Sequence, residues 1–308
     1  MNTHHYNCLA ILGPTASGKT RLACRLAYNL NGEIISADSR QVYKGLDIGT
    51  GKDLKEYIID GYAIPYHLID ICEPVTQFFL HDYMRELRKT FDDILERNKL
   101  PVICGGTGLY LEALQKDHSY TQIPENHELR EQLQALTKDE LILKLDTYKP
   151  SEQILQTDRS SAKRIIRGIE IAEYLTHHPE ILQQKALPYK PKYIGIHVST
   201  EERNKRIDKR LKDRLNNGLI EETERLLAEG ITHERLQFLG LEYKFISFYL
   251  LGKISKEELF SQLSTAIHQF AKRQMTWFRR MERQGIQIDW IDPEQLNIIS
   301  LLEKLKSS

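Results

Sequence analysis

Apolar and polar stretches alternate in blocks from the N-terminus to Leu114. Cys8 to Leu12 is an unbroken apolar run, the pattern of a strand buried on both faces, and Arg21 to Ala27 follows with helix-permissive residues. Glu33 to Asp38 reads as a second strand. It opens into a polar, glycine-punctuated connection running to Lys52, a form that often carries function rather than merely linking elements. Tyr66 to Ile71 reads as a third strand. Leu80 to Asn98 has apolar residues at Leu80, Met84, Leu87, Phe91, Ile94 and Leu95, which is helical spacing. Pro101 to Cys104 is a fourth strand, followed by Gly105-Gly106-Thr107-Gly108 and a short helix, Leu109 to Leu114. Strands alternating with helices predict an α/β fold with a doubly wound parallel sheet. Ligands then bind where the polar loops leave the carboxyl ends of the strands.

The pattern changes near residue 122. Between Pro124 and Pro191 no strand is indicated, whereas Glu128 to Leu136, Lys138 to Asp146 and Ser161 to Leu175 read as helices. Tyr193 to Val198 then returns as a fifth strand. A long helical region broken around Gly218, Gly230, Gly240 and Gly252 follows, with a last short strand, Ile286 to Ile291, and a terminal helix. The expected division is a catalytic core of residues 1–122 and 192–308 around an all-helical insertion of residues 123–191.

Composition fits a globular chain: 308 residues, 41% hydrophobic and 28% charged. Lys plus Arg equals Asp plus Glu at 43 each, so any nucleic-acid surface has to be a local basic patch. The four cysteines, Cys8, Cys24, Cys72 and Cys104, form no C-x-x-C pair, which argues against a zinc site and fits a reducing cytoplasm. The first seven residues are polar and lack a signal-type apolar region, and no run of 18 apolar residues occurs, so no membrane association is expected.

The chemistry enters between the first strand and the first helix. Gly13-Pro14-Thr15-Ala16-Ser17-Gly18-Lys19-Thr20 fits the phosphate-loop pattern G-x-x-x-x-G-K-[ST] without mismatch. Its glycines let backbone N–H groups form an anion nest at a helix N-terminus, Lys19 adds a point charge, and the Thr20 hydroxyl can ligate Mg²⁺. A nucleotide kinase or ATPase also needs an acidic residue at an apolar strand end for Mg²⁺ and its water. Pro101 to Cys104 ends in Gly-Gly-Thr instead. Asp70 is a candidate substitute, and a strand-end or capping carboxylate reads equally well there.

The phosphate loop, Asp38-Ser39 with Tyr43 to Thr50, Gly105 to Tyr110, Lys163 to Glu170 and Ala271 to Arg279 together resemble, in order and spacing, the bacterial tRNA dimethylallyltransferases (tRNA isopentenyltransferases). The resemblance covers nearly the whole chain. It implies a phosphate-loop NTPase-like core that transfers a dimethylallyl group from dimethylallyl diphosphate to N6 of adenosine 37 in tRNAs reading codons that begin with U. On that reading Gly13 to Thr20 hold the diphosphate rather than ATP, with Lys19 and a Thr20-bound Mg²⁺ stabilising the leaving group. Asp38 is the expected base for the N6 proton. Thr107 is expected to bond diphosphate or adenosine, or to cap the following helix. An arginine clamp on the diphosphate is expected from Arg206 or Arg210, one helical turn apart, with Arg210 favoured.

An exocyclic amine inside a stacked RNA strand is reached only if the base is extruded, so the partner is the anticodon stem-loop and the protein needs a basic, partly aromatic face. The expected RNA contacts are Asp38, Ser39, Arg40 and Gln41 with Thr107 around the extruded nucleotide. A first basic cluster comprises Arg159, Lys163, Arg164 and Arg167, with Ile165 and Ile166 between them expected as contacts too; a second comprises Lys272, Arg273, Arg279, Arg280 and Arg283 with Trp277, with Gln274 beside it, and Arg130 is a further candidate. One departure stands out: the compact Gly-Tyr-Arg of the family is Gly240-Leu241-Glu242-Tyr243-Lys244 here, two residues longer and with Lys for Arg. A monomer is expected. The competing readings are a phosphate-loop nucleotide kinase, a prenyltransferase acting on free adenine nucleotides, and an RNA-binding module that merely senses nucleotide.

Overall fold

In the computed structural model, residues 6–116, 118–148, 157–179 and 187–307 are described. They form two compact units, Met1–Gln115 with Pro188–Ser308, and Lys116–Leu187.

The larger unit is built on one parallel six-stranded sheet. Its strands are β1 (Cys8–Leu12), β2 (Gly32–Ser36), β5 (Tyr66–His67), β6 (Leu100–Gly105), β7 (Pro191–Ile196) and β8 (Ile288–Ile291), in the order β5-β2-β6-β1-β7-β8. A small antiparallel hairpin, β3 (Ile58–Ile59) with β4 (Tyr62–Ala63), stands outside it. The all-apolar reading of the first strand holds, since every residue of β1 is buried between β6 and β7. The chain from β1 to β2 skips one place, which β6 fills. Register then sets Leu12 beside Gly105 and Ser36 beside Cys104. The loops leaving β1, β2 and β6 therefore emerge side by side, as expected for a doubly wound sheet.

Helix α1 (Lys19–Asn29) packs Leu22, Ala23, Leu26 and Ala27 onto Leu9, Ile11, Ile34 and Val102. The C-terminal helix α12 (Ile298–Ser307) adds Leu305 to that layer. Helix α2 (Leu80–Glu96) packs against β6 and the short α3 (Gly108–Glu112). Its Tyr83 ring stacks on Tyr110 at 3.8 Å. The helical C-terminal region consists of α7 (Thr200–Asn216), α8 (Leu219–Ala228), α9 (His233–Leu239), α10 (Leu241–Leu250) and α11 (Lys256–Arg283). Ile207 and Leu211 of α7 share a core with Leu263, Ile267 and Ala271 of α11.

The smaller unit contains α4 (His127–Gln134), α5 (Lys138–Asp146) and α6 (Ala162–His177), and no strand among the described residues. Leu129, Leu133, Leu141, Leu145, Ile165 and Ile169 form its core. Arg130 and Arg167 converge on the buried Glu170, whose Oε1 accepts from Arg130 Nε at 2.8 Å. Arg167 also donates to the carbonyls of Ile123 and Pro124.

The third strand is shorter than its apolar pattern suggests. It stops at His67 because Leu68 and Asp70 take left-handed backbone angles, φ +61° and +57°, which end the ladder. Among the described residues no helix is long and apolar enough to cross a membrane.

Candidate active site

A cavity of about 770 Å³ lies in the larger unit where the loops after β1, β2 and β6 meet α7 and α11. Its floor is the phosphate loop. Gly18 sits at φ +85°, a left-handed conformation that glycine adopts without strain, and α1 begins at the next residue. Lys19 and Thr20 line the cavity from the first turn of that helix. Burial pushes the Lys19 ammonium below the usual lysine value, a shift that the nearby Asp38 carboxylate opposes. Arg210 of α7 donates from Nη2 to the Thr15 hydroxyl. Burial, with a smaller contribution from Arg214, pushes its guanidinium down to about 10. Arg206 also lines the cavity, but Glu202 holds its Nε at 2.6 Å and Glu294 its Nη2 at 3.3 Å.

Asp38 and Thr107 stand on the next two loops. Asp38 Oδ1 accepts the Arg40 N–H at 2.9 Å, a local turn that fixes the carboxyl, and Oδ2 has no protein partner among the described residues. Thr107 precedes α3 but does not cap it with its side chain. Its Oγ1 accepts the Ser39 N–H at 3.0 Å and so couples the β6 loop to the β2 loop. The capping alternative is thereby corrected: the hydroxyl is drawn across to the neighbouring strand end.

Gln274, expected at the RNA face, is buried and bridges two of the loops. Its Oε1 accepts from Thr15 N at 2.8 Å and its Nε2 donates to the Gly106 carbonyl at 2.9 Å. Gln41 is likewise taken up internally, accepting from Ser36 Oγ and donating to the Gly51 carbonyl, both at 3.0 Å. Trp277 packs its indole on Gly108, where a Cβ would lie 2.3 Å from Cδ1, so only glycine allows that approach. The indole carries the Arg280 guanidinium at 4.9 Å from its ring centre. Its Nε1 is buried without a hydrogen-bond partner among the described residues.

Asp70 does not take the role of a strand-end metal carboxylate. The buried Lys52 ammonium grips it together with Asp47 and lies 2.9 Å from the Tyr43 carbonyl. This pins the long loop after β2 from beneath. From above, the buried Glu222 carboxylate accepts the N–H groups of Asp47, Ile48 and Gly49 at 2.8 to 3.1 Å and the Tyr243 hydroxyl at 2.7 Å. The Gly240–Tyr243 segment is thus cavity wall and loop anchor. Lys244 instead lies over the rings of Phe245 and Phe248. Sequence reasoning missed Glu222 and Lys52, and with them the task of Tyr243, since a lone Glu on a helix or Lys in a loop carries no local signal.

The expected RNA contacts separate into two kinds. Lys163, Arg164, Lys272, Arg273 and Arg279 are exposed, as is Arg40. Arg164 pairs with Asp158, and Arg159 with Asp146 at 2.6 Å. Ile165 and Ile166 are buried in the helical unit because they fall on its apolar stripe, so their side chains are not an RNA surface. Arg130 and Arg167 are committed to Glu170.

Among the described residues no cluster of three or more His, Cys, Asp or Glu is placed to hold a metal. The Thr20 hydroxyl in the anion-binding cavity fits an ion that shares its ligands with bound phosphate and water, the usual manner of Mg²⁺.

Known proteins resemble this chain along nearly its whole length. A family model described as IPP transferase matches residues 41–281, and one described as isopentenyl transferase matches residues 6–62. tRNA dimethylallyltransferase 1 of Parabacteroides distasonis is 49% identical over 93% of this chain and 92% of its own length. tRNA dimethylallyltransferase 2 of Bacteroides fragilis is 48% identical over 99% of each chain. The crystal structure of a tRNA isopentenylpyrophosphate transferase from Bacillus halodurans superposes with a TM-score of 0.69 at 31% identity, covering 98% of this chain and 95% of that one. The phosphate loop, the strand ends that face it and this full-length similarity place the chain in the IPP transferase family, among the tRNA dimethylallyltransferases.

Proposed function

We propose that this protein transfers the dimethylallyl group from dimethylallyl diphosphate to N6 of adenosine 37 in tRNAs reading codons that begin with U. The observation that carries the reading is the convergence of an anion nest, a carboxylate with a free oxygen and a third strand-end hydroxyl on one cavity. In the reaction the C1–O bond of the diphosphate breaks as the N6–C1 bond forms, and the N6 proton passes to Asp38. The nest of backbone N–H groups, Lys19 and Arg210 receive the negative charge of the departing diphosphate. Arg210 is the better clamp of the two arginines. It already bonds the phosphate loop, while two glutamates hold Arg206. Mg²⁺ on the Thr20 hydroxyl, when bound, supplies further charge neutralisation at the diphosphate. Thr107 holds Ser39 and, through it, the turn that aims Asp38. Lys163, Arg164, Lys272, Arg273 and Arg279 offer the local positive charge that RNA backbone needs, although the chain as a whole is neutral. One chain serves one stem-loop in the cytoplasm.

The test is mutational. Asp38→Ala should lower the rate of prenyl transfer by roughly 10²- to 10⁴-fold, the usual worth of a positioned base. Thr107→Ala should lower it by roughly tenfold through the lost hydrogen bond. Both should still bind tRNA. Wild-type turnover in both variants would falsify the assignment.

A further inference from the structure

Two large apolar side chains at the cavity have no role in the chemistry above. Phe238, on α9, is 70% exposed, and Phe270, on α11, is 40% exposed, yet both line the same cavity. An exposed phenyl ring forgoes the burial that makes it worth having, so two uncovered rings lining one ligand cavity mark a surface waiting for a cover. Their setting says what the cover is. Ile267, Phe270, Gln274 and Trp277 follow one another at three- and four-residue spacing along one face of α11, all lining the cavity. Two guanidinium groups lie over aromatic rings of that face, Arg273 over Phe270 at 6.0 Å and Arg280 over Trp277 at 4.9 Å. Rings interleaved with cations are what a single-stranded nucleic acid uses: bases stack on the rings and phosphates meet the guanidinium groups. A dimethylallyl chain has no charge for those cations to meet, and it gains most from an enclosed apolar wall rather than from a ring left largely in water.

We infer that Phe238 and Phe270 form a stacking ledge for nucleobases flanking the extruded adenosine, so that the enzyme reads its RNA by the stacking quality of the neighbours as well as by the target base. This rests on the proposed RNA-prenylating function and adds to it a specificity device. Extruding one base removes the stacking partner of each base beside it, and the ledge replaces what they lose. The 5′ neighbour pairs with the first codon base, U, and is already adenosine, so the ledge's preference for the larger stacking face of a purine shows at the 3′ neighbour.

The experiment uses anticodon stem-loops in which a single flanking nucleotide is A, U or abasic, with wild-type protein, Phe238→Ala, Phe270→Ala and the conservative Phe238→Tyr. RNA affinity is measured by equilibrium binding, and KM for RNA and kcat are measured separately. Phe238→Ala and Phe270→Ala should each raise Kd and KM for RNA by roughly tenfold, from the worth of one base on one ring, while kcat at saturating RNA and KM for dimethylallyl diphosphate stay put. Phe238→Tyr should keep wild-type values. An abasic flank should cost wild-type protein a similar factor and cost the matching alanine variant almost nothing more, since ring and base are the two halves of one contact. Additive losses from ring and base, or alanine variants with unchanged RNA Kd, would overturn the ledge. A raised KM for dimethylallyl diphosphate with unchanged RNA binding would also overturn it and assign the rings to the prenyl chain. Absence of prenyl transfer by wild-type protein would strike the proposed function instead, and the binding measurements would still judge the ledge.

Discussion

At the scale of single residues, the cavity depends on two cations held in partly dehydrated surroundings. Burial lowers the affinity of Lys19 and Arg210 for protons, Arg210 to about 10. Each loses its proton earlier on an alkaline titration than the same group in water. Since kcat/KM reports the free enzyme, its value for dimethylallyl diphosphate should fall on the alkaline side, with an apparent pKa below the usual lysine value of 10.5. Lys19→Arg keeps a cation that holds its proton better. It should shift that alkaline limb upward even as the changed geometry lowers the maximum. A pH profile of kcat/KM for the two proteins checks both statements.

The roles of these residues were legible in the sequence to the extent that their neighbours in the chain carried the signal. Gly13 to Thr20 act through consecutive backbone groups, and Asp38 sets its own turn with Arg40, so both were readable from a short window. Gln274 was legible as part of a motif but not in its task. It joins Thr15 and Gly106, residues 259 and 168 positions away. Its flank of Lys272, Arg273 and Arg279 suggested RNA, yet its helix face points it inward. Gln41 was misplaced for the same reason: a polar side chain in a polar loop reads as a ligand contact until its internal partners are seen.

At the scale of elements, buried carboxylates do the joining. Glu33 on β2 is bound by Arg97, which follows α2, and by His67 of β5 at 2.7 Å, so one carboxylate ties the sheet edge to a covering helix. The hydrogen-bonded Arg97 guanidinium, then His67, hold its carboxyl below the usual glutamate range against the opposing effect of burial. A depressed carboxylate stabilises the fold above its unfolded-state pKa and loses that contribution as pH falls through the folded value. Glu33→Gln should therefore cost about 2 kcal/mol in urea unfolding at pH 7, the scale of hydrogen bonds to a charged group. The deficit against wild type should shrink as the pH is taken below 4.5, the ordinary glutamate value. In the helical unit Glu170 plays the corresponding part, and this splits the basic residues into two classes. Lys163→Ala with Arg164→Ala should leave folding intact, weaken RNA binding and reduce the salt slope by roughly 1 per residue. Arg130→Ala should leave the 2%-exposed Glu170 short of a partner, at a cost of about 3 kcal/mol. Limited proteolysis of the helical unit against RNA titrations at several salt concentrations separates the two outcomes.

Element boundaries were readable where the apolar period was long, as in α2, and misread where tertiary geometry intervened. Tyr66 to Ile71 has the composition of a strand, but the left-handed angles at Leu68 and Asp70 turn the chain so that Lys52 can reach the Asp70 carboxylate. Propensity favours extension there; the ion pair with the buried Lys52 decides against it.

At the scale of the molecule, three loops at the level ends of three adjacent strands make one reaction chamber, and strand order alone brings them together. A phosphate loop by itself is equally compatible with ATP chemistry. Here the neighbouring strand ends supply the Asp38 carboxylate and a threonine that couples the loops, and Asp70, the sequence's candidate for a metal-binding acid, is locked to Lys52 away from the cavity. The central claim is that the loop cradles the diphosphate of a prenyl donor whose acceptor is an RNA adenosine. It is tested most directly by incubating the protein with Mg²⁺, dimethylallyl diphosphate and unmodified tRNA, digesting the RNA to nucleosides and weighing the adenosine fraction. The account predicts one adenosine per susceptible tRNA heavier by C5H8, released diphosphate in equal amount, and no such product when ATP replaces the prenyl donor. An adenosine fraction of unchanged mass, with phosphate released from ATP instead, would contradict it.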